Sequence, residues 1–105
     1  MSDTACIVMT TVGTEDEADR LANAIVEARL AACVQIQRVR SVYVWEGETR
    51  REPEWLLMAK TRTGRYDALE ALIRERHSYT LPEIVQLPIT GGLPPYLQWL
   101  GEATG

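Results

Sequence analysis

The chain contains one histidine, His77, so no single copy of it can build a zinc site from several imidazoles. It contains two cysteines, Cys6 and Cys33, which do not make a disulfide scaffold in a chain long enough to form its own core. Phenylalanine is absent, and aromatic packing falls to three tryptophans and four tyrosines, all between Tyr43 and Trp99. No apolar run approaches the ~20 residues that a membrane-spanning helix needs. Met1-Ser2-Asp3-Thr4 lacks the basic-then-apolar layout of a signal peptide, so no membrane partner is expected and a cytoplasmic location is. Bases are in deficit, 11 against 15 acids for a net charge of −4, which is the wrong balance for a nucleic-acid partner. Gly91-Gly92 is not a phosphate loop either, because it lacks the Lys and Ser/Thr such a loop requires.

What remains is the composition of one globular domain over residues 1–105, 46% apolar and 25% charged. A chain of this length buries roughly two-thirds of its unfolded surface, enough for a single core. Cys6–Thr11 is a short apolar run and reads as a buried strand. Thr14-Glu15-Asp16-Glu17 fits a capping box, with Glu17 reaching back to the cap. Ala18, Leu21, Ala22 and Ile25 then mark one apolar face of a helix running to about Arg29. From Cys33 the chain alternates with period two. Val39 breaks the phase and Val42 and Val44 restore it, which predicts a bulge or bend around residues 38–41. Trp45-Glu46-Gly47-Glu48 is a turn, with Gly47 supplying a positive φ, and Trp55–Lys60 returns from it. Pro53 marks a sheet edge or a break in pairing. Tyr66, Leu69, Leu72 and Ile73 stripe a second helix ending near His77. Ile84–Leu87 forms a fourth strand closed by Pro88, and Pro95 starts a short last helix.

The order β-α-β-β-α-β plus a tail helix predicts an α+β, ferredoxin-like fold with an antiparallel sheet. Its central hairpin is too long for its domain. Twelve residues from Cys33 to Val44 extend about 40 Å, against a diameter of roughly 33 Å for a chain of this size. An overhanging apolar hairpin invites pairing with another copy. The alternative is that the arm folds back onto its own domain. Tyr43, Trp45, Glu46 and Trp55 are the candidate interface residues of a homo-oligomer.

Several separated segments resemble one family. They are Leu30-Ala31-Ala32-Cys33-Val34, Ser41-Val42-Tyr43-Val44-Trp45-Glu46-Gly47, Lys60-Thr61, His77-Ser78-Tyr79-Thr80-Leu81-Pro82-Glu83-Ile84, Leu87-Pro88-Ile89 and Tyr96-Leu97-Gln98-Trp99-Leu100. Together they look like the CutA divalent-cation tolerance proteins, over nearly the whole chain from Cys6 to Leu100. The resemblance implies a homotrimer similar in architecture to the PII signalling proteins, and a link to divalent metals, copper most often. Two positions depart from the family pattern His-Pro-Tyr-Glu-x-Pro-Glu: Ser78 stands for the proline and Thr80 for the first glutamate. Some members carry a cysteine late in the first strand as a proposed copper ligand, and Met9 takes that place here. A thioether suits copper(I) and anchors copper(II) less well than a thiolate.

The candidate metal ligands are therefore His77, Glu83, Met9 and Cys33, with divalent copper as the expected ion. His77 has the right chemistry for copper, zinc or nickel. Its alternative role is to satisfy the last carbonyls of the second helix. Glu83 has the alternative of an ion pair with a neighbouring arginine, and Cys33 that of a small buried apolar residue. Arg38 and Arg40 share a strand face if the bend spares them and can hold an anion, or else pair with Glu46, Glu48, Glu52 and Glu54. No acid–base pair or activated nucleophile stands out, so no enzyme activity is expected. The functional expectation is a cytoplasmic homotrimer that binds divalent metal. The alternatives are a signalling module taking a small anion or nucleotide between subunits, or an adaptor trimer without a ligand.

Overall fold

Strand β1, Ala5–Val12, buries Cys6, Val8, Thr10 and Val12 completely or nearly so on one side, as period-two alternation requires. The computed structural model describes residues 3–105; Met1 and Ser2 of the expected domain lie outside the described residues. Helix α1, Glu15–Glu27, starts where Thr14 Oγ1 accepts the Glu17 N–H at 3.1 Å. The reciprocal half of the expected capping box is missing, because the Glu17 carboxylate is drawn away to Ser78. The helix stops two residues short of Arg29. That residue adopts a left-handed φ of 59°, and the Leu30 N–H returns to the Ile25 carbonyl.

Strands β2, Cys33–Trp45, and β3, Glu48–Arg62, form the long hairpin. Glu46 and Gly47 turn it with φ of 52° and 79°, the two-residue turn whose twist matches the flanking strands. The expected bend at residues 38–41 is absent: pairing runs one-to-one from Cys33–Lys60 to Trp45–Glu48. The phase slip in the sequence arises because this arm projects beyond the helices, so nothing requires its apolar residues to stay on one face. Val39 and Val42 point to opposite faces of a regular strand. Pro53 sits beyond the last β1–β3 pair, Val12–Trp55, where β3 has β2 alone as a neighbour. It therefore marks an edge, as expected, without interrupting the hairpin.

A 3-10 turn, Thr63–Arg65, leads into α2, Tyr66–Arg76, which ends at His77. Strand β4, Val85–Pro88, and α3, Pro94–Ala103, complete the chain. The sheet order is β2-β3-β1-β4 with every neighbouring pair antiparallel, the ferredoxin-like arrangement. Helices α1 and α2 cover one face. Val8, Val12, Leu57 and Ala59 there pack against Ala18, Leu21, Ile25, Leu69 and Ile73. Full burial of a residue such as Ile25 contributes roughly 1.5–3 kcal/mol.

The other face is only partly covered. Helix α3 lies over one end of it, where Lys60 Nζ is 5.9 Å from the Tyr96 ring and Arg62 donates to the Thr104 carbonyl. Beyond α3, Met9 stands between Met58 and Val85, and Ile7 is opposite Leu87. Val85 and Leu87 are 44% and 42% exposed. The molecule measures 44 × 25 × 23 Å, and its long axis is close to the ~43 Å that thirteen extended residues of β2 would span.

Candidate functional site

The segment after α2 is tied down residue by residue. The His77 ring is fully buried. Its Nδ1 accepts the Tyr79 N–H at 3.0 Å, so its proton lies on Nε2, which donates to the Thr11 carbonyl at 2.8 Å. Ser78 donates both its amide and its hydroxyl to the Glu17 carboxylate, at 3.0 and 2.8 Å. The proline of the family pattern can make neither bond. Together these contacts aim Tyr79 across the end of β1, past Gly13. A Cβ at Gly13 would stand 3.1 Å from the Tyr79 hydroxyl oxygen, so glycine there leaves room for the phenol.

Tyr79 thereby reaches the hairpin. Its hydroxyl donates to Glu54 Oε2 at 2.9 Å, and Glu54 is 7% exposed. Tyr43 donates to Glu52 Oε1 at 2.6 Å, one strand position further out. Burial, reinforced by the bond to Glu54, raises the Tyr79 phenol well above its ordinary range. The bond to Glu52 raises that of Tyr43. Both therefore stay protonated as donors at neutral pH. A cleft of about 790 Å³ opens between this face of the hairpin and the 78–83 loop. Glu52, Glu54 and Glu83 line it together with Tyr43, Trp45 and Tyr79; Arg50, across the strands from Tyr43, shares this face and pairs with Glu46, and among the described residues no Lys, Arg or His lines the cleft itself. Among the described residues, none of the three carboxylates makes an ion pair. The cleft is thus negative, and it suits a cation rather than an anion.

The residues expected from the sequence are distributed differently. Glu83 lines the cleft. His77 stands behind it with its one lone pair already occupied by the Tyr79 amide, so it offers no free donor to a metal. It does not satisfy the helix carbonyls through its ring either; its backbone N–H does that, to Ile73. Met9 and Cys33 lie on the uncovered sheet face, two strands and two residues apart, about 12 Å by strand spacing. Among the described residues no three His, Cys, Asp or Glu side chains are grouped to hold a metal ion. The four expected copper ligands are not brought together within one chain. Of the expected interface residues, Tyr43 and Trp45 lie on the cleft side and Glu46 at the tip, 3.8 Å from Arg50. Trp55 instead packs against the subunit's own core, under the Arg38 guanidinium at 5.6 Å.

Tyr79, Glu17, Glu52 and Glu54 are the residues of this candidate site that motif reading did not assign to it. A signal for two of them was available. A two-residue turn at Glu46-Gly47 fixes the register, and Glu52 and Glu54 then fall on one face, away from Arg38 and Arg40.

The sequence pattern of the family described as CutA1 divalent ion tolerance protein matches residues 6–103. The chain is 46% identical over 100 residues to the divalent-cation tolerance protein CutA of Thermus thermophilus, covering 94% of this chain and 97% of that protein. It is 42% identical over 99 residues to the chloroplastic protein CutA of Arabidopsis thaliana, covering 93% of this chain and 54% of that one. The chain therefore spans about half the length of the plant relative. Among solved structures, that of the periplasmic divalent cation tolerance protein CutA from Archaeoglobus fulgidus superposes with a TM-score of 0.95 at 32% identity, over 97% of this chain and all of the other. The Thermus thermophilus protein gives 0.93 at 45% identity, with the same coverage.

Proposed function

The chain belongs to the CutA1 divalent ion tolerance protein family, and we propose that it serves tolerance as a homotrimer whose acidic cleft takes up divalent cations. The observation that carries the cation reading is the lining of the cleft, with three glutamates and no base. In a site partly shielded from solvent, carboxylates attract cations and repel phosphate. This argues against a nucleotide at this position. One subunit does not complete a ligand set, so the remaining ligands are water or groups of a neighbouring subunit. Copper(II) is the first ion to test, bound by Glu52 and Glu83 rather than by His77. The assembled trimer would carry about −12 by tripling the chain charge, which raises the local cation concentration without selecting a metal.

Assembly rests on two features: the projecting hairpin and the sheet face around Met9, Met58, Val85 and Leu87. Burying that face against other copies removes apolar surface from water. Two unpaired cysteines, Cys6 buried and Cys33 half-buried, accord with a reducing compartment such as the cytoplasm. Sedimentation equilibrium should give three times the chain mass of 11.8 kDa; a stable folded monomer at micromolar concentration would overturn the assembly. Titration calorimetry with copper(II), zinc(II) and ATP then separates the readings. Cation binding weakened in E52Q/E83Q and retained in H77N supports the cleft. ATP binding without cation binding would establish the signalling alternative, and binding of neither the ligand-free adaptor.

A further inference from the structure

Strand alternation puts Arg38, Arg40 and Arg51 on one face of the hairpin and Glu48, Glu52 and Glu54 on the other, where Arg50 joins them. The register sets Arg38 opposite Trp55, Arg40 opposite Pro53, and Val42 opposite Arg51. These side chains, with Val44, share the face on the α1 and α2 side. Glu48, Glu52 and Glu54 all point to the cleft face. The ion pairs that closeness in sequence suggests between Arg38 or Arg40 and these glutamates are therefore not made. Among the described residues, Arg38, Arg40 and Arg51 have no ion-pair partner at all. Arg38 is braced on the Trp55 ring, and Val42 and Val44 beside them are 66% and 71% exposed.

We propose that this face is a docking surface for an extended acidic segment of a partner protein. Alternate Asp or Glu side chains of the segment would engage Arg38, Arg40 and Arg51, and its apolar side chains Val42 and Val44. The spacing supports this occupant. Arg38 and Arg40 are about 6.8 Å apart along β2, and Arg51 extends the row to roughly 14 Å. Carboxylates at positions 1, 3 and 5 of an extended peptide repeat at the same interval. Guanidinium forks bind carboxylates in bidentate fashion. The exposed valines favour a protein segment over a nucleic-acid backbone, as does the net charge of −4, which repels a long polyanion. In one respect the inference rests on the trimer reading. If copies pack through the uncovered sheet face and the hairpin's Tyr43 and Trp45 side, the arginine face, on the helix side, stays open to a partner.

The test uses the intact full-length protein and a fluorescein-labelled peptide with glutamate at three alternate positions followed by two alternate leucines. Fluorescence anisotropy should detect binding at low salt that weakens about tenfold in R38S/R40S/R51S, the size expected of a few surface charge pairs. Binding should be unchanged in R74S/R76S, which alters the same kind of charge on α2. NMR of the unmodified protein gives a second measurement that needs no variant: the peptide should shift the Arg38, Arg40 and Arg51 resonances. No binding at low salt, equal loss in both variants, shifts confined to other residues, or tighter binding of oligothymidylate than of the peptide would each overturn the proposal.

Discussion

Replacing Tyr79 by phenylalanine removes one oxygen atom and with it the donor that serves the Glu54 carboxylate. Glu54 is 7% exposed, and among the described residues it has no basic partner. A hydrogen bond to a charged group contributes about 1.5–3 kcal/mol. Tyr79→Phe should cost within that range, nearer its lower end because Glu54 borders the cleft and water can reach it. Urea unfolding at a fixed protein concentration measures this, since the proposed assembly would make the apparent stability depend on concentration. A double-mutant cycle with Glu54→Gln isolates the pair, and a coupling energy of about 1 kcal/mol or more is expected. The pH dependence gives an independent check. The folded protein holds the Tyr79 proton more tightly than the unfolded chain does. The resulting stability is fully present below the ordinary phenol range near pH 10, and is lost as pH rises through the raised folded value. Tyr79→Phe should therefore flatten the alkaline decline in stability, leaving smaller contributions from Tyr43 and Tyr66, whose phenols are also raised. A coupling energy below about 0.5 kcal/mol, together with an unchanged alkaline decline, would refute the reasoning.

Ser78→Pro restores the residue of the family pattern but removes two donors to Glu17. His77, at φ −76° and ψ 139°, already has a backbone that can precede proline. The net cost should be about 1–2 kcal/mol by urea unfolding, the lost bonds outweighing the gain from a stiffer unfolded chain. Gly47→Ala should cost roughly 1–2 kcal/mol through the positive φ alone, because nothing lies within 4 Å of the added Cβ; a neutral effect on the thermal midpoint would contradict this. Met58→Glu places a charge in the middle of the uncovered sheet face, opposite Met9 and Gln35. It should shift the protein to a monomer in sedimentation velocity while leaving its far-ultraviolet circular dichroism intact.

The elements were legible where a local periodicity or cap specified them. Thr14 starts α1, the Tyr66–Ile73 stripe gives α2, and Gly47 takes the positive φ its turn demands. Sequence pattern and structure part where tertiary context adds contacts that the local pattern does not contain. The Val39 phase slip looked like a bulge, yet the strand is regular, because an arm that leaves its core has no buried face to keep in phase. Glu17 looked like the second half of a capping box, but a serine sixty-one residues away offers it two donors and wins. His77 carried the chemistry of a metal ligand, and sequence gives no hint that an amide two residues on would occupy its lone pair. Trp55 looked like an interface aromatic because it lies in the hairpin, and alternation sends it to the core instead.

By itself the sequence determined the element order, the overlong hairpin, the family and the charge. These follow from local periodicity, residue counts and motifs, none of which needs a contact between distant residues. Only the tertiary structure decided the site. Tyr79 meets Glu54 at a sequence separation of twenty-five because the 77–83 loop is pinned to β1 and α1. The same hairpin register that opens an acidic cleft on one face leaves three arginines on the other. Hydrogen bonds and ion pairs depend on angstroms of approach, and that approach is set by how the sheet, loop and helices close on one another.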